Sequence, residues 1–187
     1  MYDCFLTSAL IPPPNFGFVE AGLYRSAIPQ EANFSFLQTL HLNTVVYLSL
    51  DPPSQLFNDF LKEQGIRLCS MKKGEGYSIS ERISEELILA SLKILLDHSQ
   101  YPIIIMCNLG RHRTGTLVGC LRRLQNWDLS SILDEFRRFT GFKSSPLHEQ
   151  FIELFDTELV EIPPDANEHL EFLHLHLKEN KNEKNHD

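Results

Sequence analysis

The stretch from Pro102 to Gly115, PIIIMCNLGRHRTG, constrains the fold of this chain more than any other part of it. Pro102–Met106 is a short, continuous apolar run, the pattern of a strand buried on both faces. Beyond Cys107 a glycine-containing connection leads to Thr114-Gly115, which open a helical pattern over Thr114–Asn126. A buried strand feeding a helix in this way belongs to a layered arrangement in which helices cover a sheet.

The rest of the chain repeats the alternation. Phe18–Glu20 and Leu23–Ser26 read as short strands around the turn Ala21-Gly22, and Asn33 is placed to cap a helix over Phe34–His41. Thr44–Leu50 is β-branched and apolar, hence a buried strand that Pro52-Pro53 stops. Ser54 opens a helix through Gln64, which Gly65 ends, and Ile66–Cys69 is another strand. The polar segment Ser70–Ser80 lacks periodicity and reads as a loop. Ile83, Leu87, Leu92 and Leu95 fit an amphipathic helix over about 81–97, and helices over Ser130–Phe139 and Leu147–Leu159 complete the pattern. The fold class expected is α/β, with a central, mostly parallel sheet flanked by helices. Residues 1–16 form a Pro-rich irregular segment, 17–160 the domain, and 161–187 an acidic tail. In the tail a short helix fits Asp165–Lys178, and the last ten residues carry too little apolar character to order.

Composition narrows the function. The chain has 187 residues, enough for one domain with a real core, and a net charge of −8. That balance argues against nucleic-acid binding. Yet Arg111, Arg113, Arg122, Arg123, Arg137, Arg138 and Lys143 face only Asp128, Asp134 and Glu135 within 103–145, so one segment is built to meet anions. No apolar run approaches the roughly 18–20 residues of a membrane span, and the N-terminus lacks the pattern of a secretory leader. Cys4, Cys69, Cys107 and Cys120 have neither disulfide-framework nor zinc-site spacing, which points to a reducing, cytoplasmic address with no metal or other cofactor.

The chemistry lies in Cys107, the five residues after it, and Arg113. A five-residue loop between a strand and a helix can curl its backbone N–H groups into one anion-binding concavity, and the helix start adds its positive dipole end. Arg113 can offer two parallel donors to phosphate oxygens. Cys107 then lies beneath a bound phosphoryl group, in a field that favours its thiolate. The expected reaction is attack of Cys107 on phosphorus, formation of a phosphocysteine, and hydrolysis by water. Thr114 is expected to donate a hydrogen bond to the sulfur, and Gly110 to let the backbone turn. Asn108, Leu109, Gly110, Arg111 and His112 line the cradle.

These motifs resemble the plant-and-fungal atypical dual-specificity phosphatases of the cysteine-dependent protein tyrosine phosphatase superfamily. The resemblance covers about residues 11–157. It includes PPPNFGFVEAGLYRSAIPQEANFSFLQTL, CNLGRHRTG and GCLRRLQNWDLSSILDEFRRFTG, and the wording MCNLGRHRTG is most similar to the fungal oxidant-induced cell-cycle-arrest branch. It implies a protein tyrosine phosphatase-like sandwich, with Cys107 as nucleophile, Arg113 as phosphate clamp and Asn108 to His112 as the loop. It also places Tyr24-Arg25-Ser26 near the site and implies inositol pyrophosphates as a substrate class.

Two positions depart from the family pattern. Met106 stands where relatives carry histidine, and the Ser70–Ser80 loop holds Glu75, which reads as a solvated charge, instead of an aspartate acid. Expelling an alkoxide needs a proton, whereas a leaving phosphate, with a second pKa of about 6, needs far less help. A cationic site with a weak acid therefore suits phosphoanhydrides, and Lys72-Lys73 could cover a polyphosphate. Alternatives that stay open are a protein tyrosine or dual-specificity phosphatase acting on phosphoproteins, a phosphate-binding pseudophosphatase in a complex with related family proteins, and a redox-sensing thiol. Cys69 and Cys120 read as core residues, His174 and His176 as surface histidines, Trp127 with Leu124, Phe136 and Phe139 as a helical core cluster, and Arg122-Arg123 and Arg137-Arg138 as facing solvent or acidic loops.

Overall fold

The chain enters its sheet through a hairpin: β1 (Gly17–Glu20) pairs antiparallel with β2 (Leu23–Ala27). The structure, a computed structural model, describes residues 9–70 and 83–163. After β2 come α1 (Phe34–Gln38), β3 (Thr44–Tyr47), α2 (Gln55–Glu63), β4 (Arg67–Ser70), α3 (Glu85–Leu95), β5 (Ile103–Cys107), α4 (His112–Leu124), α5 (Leu129–Thr140) and α6 (Pro146–Leu154). The sheet order is β1-β2-β5-β3-β4, parallel throughout except for the β1 hairpin. This is the mostly parallel, helix-flanked sheet expected from the alternation of patterns.

β5 is the central strand, and all five of its residues are buried, which is why it reads as an unbroken apolar run. Its alternation divides the core. Ile103, Ile105 and Cys107 face the layer containing α3 and α4, with Leu92, Leu117, Val118 and Leu121. Ile104 and Met106 face the opposite layer, with Leu37, Tyr47, Phe57 and Phe60. Cys107 thus ends the strand on the α4 side, one residue before the chain leaves the sheet.

Some boundaries and caps differ from those expected. β3 stops at Tyr47, short of the expected Leu50; the Leu48 amide still donates to the Met106 carbonyl at 2.8 Å, and Ser49 then turns its hydroxyl to Asn108. Ser54 caps α2 as expected, accepting from the Phe57 amide. Asn33 does not cap α1 with its side chain. It accepts from the Gln30 amide and donates to the carbonyls of Ile11 and Pro12, fastening the N-terminal segment instead.

Arg122 does not face solvent. It is buried, pairs with Glu135 at 3.0 Å, and donates to Gln125 and to the carbonyl of Val19. Trp127 is 39% exposed rather than core, and its ring lies 4.2 Å from the Arg122 guanidinium. Arg137 does meet an acid, Glu149, at 2.6 Å. Cys120 is buried, Cys69 only partly so. Lys72, Lys73, Glu75, His174, His176 and the tail helix expected over Asp165–Lys178 lie outside the described residues. Among the described residues no helix is long and apolar enough to cross a membrane.

Candidate active site

The loop 108–111 leaves β5 at Cys107 and enters α4 at His112, two residues earlier than the sequence pattern suggested. Arg113 and Thr114 therefore lie in the first helical turn, where free backbone N–H groups and the dipole favour an anion. Gly110 has φ +62°, and a Cβ there would lie 2.5 Å from the Ala27 nitrogen and the Ser26 carbonyl carbon. Only glycine fits a loop pressed this closely onto β2.

Three anchors fix the loop from outside. Asn15 is itself in the left-handed region at φ +56°, and its Nδ2 donates to the carbonyls of Gly110 (2.9 Å), Leu109 (3.3 Å) and Phe139 (3.0 Å). Arg25 Nη2 donates to the Gly110 carbonyl from below at 3.3 Å. Asn108 bonds the Ser49 hydroxyl and donates to Asp51 at 3.4 Å, which ties the loop to the segment after β3.

The expected residues lie at the end of β5, on the loop and in the first turn of α4, with differences in detail. Arg113 Nη1 donates to the Leu48 carbonyl at 3.1 Å, so Nε and Nη2 are the donors without a partner among the described residues. His112 Nε2 donates to the Lys143 carbonyl at 2.5 Å, linking the helix start to the α5–α6 connection rather than pointing solely to a ligand. Leu109 is exposed at the loop crown and Arg111 is partly exposed. Thr114 Oγ1 is buried without a hydrogen-bond partner, so the expected bond to the Cys107 sulfur is not made. Met106 points into the layer opposite Cys107, where it packs as core.

Sequence reasoning missed Asn15, the Ser49–Asp51 segment and His148. Asn15 carried a faint signal, since asparagine after three prolines is a residue that tolerates left-handed turns. His148 stacks on His112 with ring centroids 5.0 Å apart. Burial, reinforced by the neighbouring His112 and Arg113, pushes its pKa down to about 4. It is neutral at physiological pH and adds bulk, not charge, beside the loop.

A comparison with protein families matches residues 10–174 to the tyrosine phosphatase family. The chain belongs to the tyrosine phosphatase family. As a member it is a phosphatase, a hydrolase of phosphate compounds. It is 53% identical over 150 residues, 80% of this chain and 90% of the other, to DG1060 of Dictyostelium discoideum, provisionally named a tyrosine-protein phosphatase. It is 41% identical over 150 residues, 80% of this chain and 74% of the other, to the inositol diphosphatase DSP2 of Oryza sativa subsp. japonica. Among solved structures, the core catalytic domain of the PP-IP phosphatase SIW14 from S. cerevisiae, in complex with citrate, is similar at TM-score 0.75 and 41% identity, covering 81% of this chain and 91% of that one.

Proposed function

We propose that this tyrosine phosphatase family member hydrolyses the diphosphate groups of inositol pyrophosphates through a phosphocysteine on Cys107. The observation that supports the reading is a loop that leaves β5 at Cys107, lies against Ala27 at Gly110 and enters α4 at His112, with the Arg113 guanidinium steadied by the Leu48 carbonyl. The Cys107 sulfur attacks the terminal phosphorus, the bridging P–O bond breaks, and its electron pair leaves with the inner phosphate. Water then attacks phosphorus, the P–S bond breaks, and inorganic phosphate and the thiolate are released. Loop amides and the free Nε and Nη2 of Arg113 stabilise the charge spread over the phosphoryl oxygens in both steps.

The substrate class rests on the chemistry of the leaving group and on the relatives. An inner phosphate leaves with little protonation, so the reaction needs no strong acid. A rice relative is named an inositol diphosphatase and the yeast neighbour a PP-IP phosphatase. Met106 packs in the core layer across the strand from the reacting sulfur. The test is phosphate release from a diphosphoinositol polyphosphate and from phosphotyrosine peptides, with Cys107→Ser as control. A Cys107-dependent rate favouring the diphosphate is expected. Faster cleavage of phosphotyrosine peptides would overturn the substrate assignment, and an unimpaired Cys107→Ser protein would overturn the mechanism.

A further inference from the structure

One half-buried side-chain amide ties together three segments that the sequence keeps far apart. Asn15 Nδ2 lies 2.9 Å from the Gly110 carbonyl, 3.0 Å from the Phe139 carbonyl and 3.3 Å from the Leu109 carbonyl. Three carbonyl oxygens can surround only the donor end of an asparagine, which carries two N–H groups. Gly110 stands 95 positions away from it, on the loop that follows Cys107.

The segment that carries Asn15 is fixed by contacts of its own. The Ala27 amide donates to the Pro14 carbonyl at 2.8 Å, and the Phe16 amide donates to the Pro13 carbonyl at 3.2 Å. Asn33 holds the carbonyls of Ile11 and Pro12. The Phe16 ring stacks on Tyr24 of β2 at 5.9 Å and meets Phe36 edge-on at 4.9 Å. Between these anchors Asn15 takes the left-handed backbone at φ +56°, which asparagine tolerates better than most residues.

The fixed amide sets the orientation of one peptide unit in the loop. In a planar trans peptide the carbonyl of one residue and the N–H of the next point in opposite directions. The Leu109–Gly110 unit is already spent, because the Gly110 amide donates to the Cys107 carbonyl at 3.1 Å. The Gly110–Arg111 unit is not. Its carbonyl receives both Asn15 at 2.9 Å and Arg25 Nη2 at 3.3 Å. Its N–H, on Arg111, points away from that carbonyl and has no acceptor among the described residues. The Arg111 carbonyl accepts from the Gly115 amide at 2.7 Å, so the free Arg111 amide adjoins the unpaired amides that open α4.

We propose that Asn15 is a positioning residue for phosphate binding: it pins the Gly110 carbonyl and thereby turns the Arg111 N–H toward the phosphoryl group that Cys107 attacks. The assignment rests on the reading of Cys107 as the nucleophile and goes beyond it, to a side chain outside the Cys107–Arg113 segment. A donor fixed before the substrate arrives costs no reorganisation as charge develops on the phosphoryl oxygens. Without Asn15 the Gly110 carbonyl keeps only the longer contact from Arg25, and the soft glycine backbone lets the peptide rotate.

The test substitutes Asn15→Gly, which keeps the left-handed turn and removes only the amide. Its first readout is the Arg111 amide resonance in 15N–1H spectra of the full chain carrying Cys107→Ser, titrated with inorganic phosphate. That resonance is expected to shift with phosphate when Asn15 is present and to lose its response in Asn15→Gly, while the His112 and Arg113 amides still respond. In the enzyme with Cys107 intact, kcat for phosphate release falls about tenfold in Asn15→Gly at an unchanged thermal midpoint. An Arg111 amide indifferent to phosphate when Asn15 is present overturns the proposal. So does a folded Asn15→Gly protein with wild-type kcat and an intact Arg111 response. If Asn15→Gly does not fold, Asn15→Asp keeps the side-chain shape and sets an acceptor against the three carbonyls, and wild-type kcat there overturns it equally. The spectra need no turnover, so a protein that ignores diphosphoinositol polyphosphates would sink the substrate reading and leave the Arg111 result standing.

Discussion

The guanidinium of Arg113 donates to the carbonyl of Leu48 across 3.1 Å, so the arginine at the head of α4 is steadied by the chain just past the end of β3. β3 is the parallel neighbour of β5, which ends in Cys107. The two groups proposed to act on one phosphoryl group are therefore set by adjacent strands of one sheet.

Arg113→Lys keeps the charge and loses the planar fork that can hold a backbone carbonyl and a phosphate together. Its kcat/KM for phosphate release is expected to fall at least about a hundredfold. A lysine variant within a few-fold of wild type would contradict the proposed two-donor contact.

Gly110→Ala places a methyl 2.5 Å from the Ala27 backbone in a left-handed conformation. The strain, about 1–3 kcal/mol, can be relieved only by lifting the loop off β2. Both a lower urea midpoint and a large loss of kcat are expected. Full activity at unchanged stability would show that the loop does not depend on this contact.

Arg122→Met removes one partner of a buried pair and strands Glu135 and the Val19 carbonyl. Breaking such a pair costs about 3–5 kcal/mol, and chemical denaturation should show a loss of that order. Unchanged stability would mean that water replaces the arginine without penalty.

Much of the fold was legible in the sequence because burial imposes period. PIIIM on the central strand, the Ser54 cap and the left-handed Gly65 all stand where the pattern put them. The residues of the proposed site were legible because Cys107, Gly110 and Arg113 lie on one short segment. What was not legible depends on contacts between distant parts of the chain. Asn15 reaches Gly110 across 95 positions, Arg122 reaches Val19 across 103, and nothing local marks either side chain as buried or bonded. Trp127 was misplaced for the same reason, since its aromatic face covers a guanidinium instead of filling the core.

His148 gives the fold a pH dependence of known sign. Burial lowers its pKa from the ordinary histidine value to about 4, so the folded protein favours the neutral ring. Its contribution is complete above about pH 6.5 and is lost as pH falls toward the folded value, because the unfolded chain takes up the proton first. Burial is partial, so the effect is of order 1–2 kcal/mol. Glu149 has its pKa lowered by Arg137 and Ser144 and acts only below the ordinary carboxylate range, leaving the interval above it to His148. Thermal melts of His148→Gln and wild type should converge as pH drops from 6.5 toward 4.5 (approximate bounds). Parallel curves would assign the pH dependence elsewhere.

The most direct measurement is acid-quenched mass spectrometry of the protein caught during turnover of a diphosphoinositol polyphosphate. A transient phosphate on the Cys107 peptide is expected, formed and lost at rates compatible with kcat and absent from Cys107→Ser. Steady phosphate release with Cys107 never modified, or release undiminished in Cys107→Ser, would contradict a phosphocysteine mechanism.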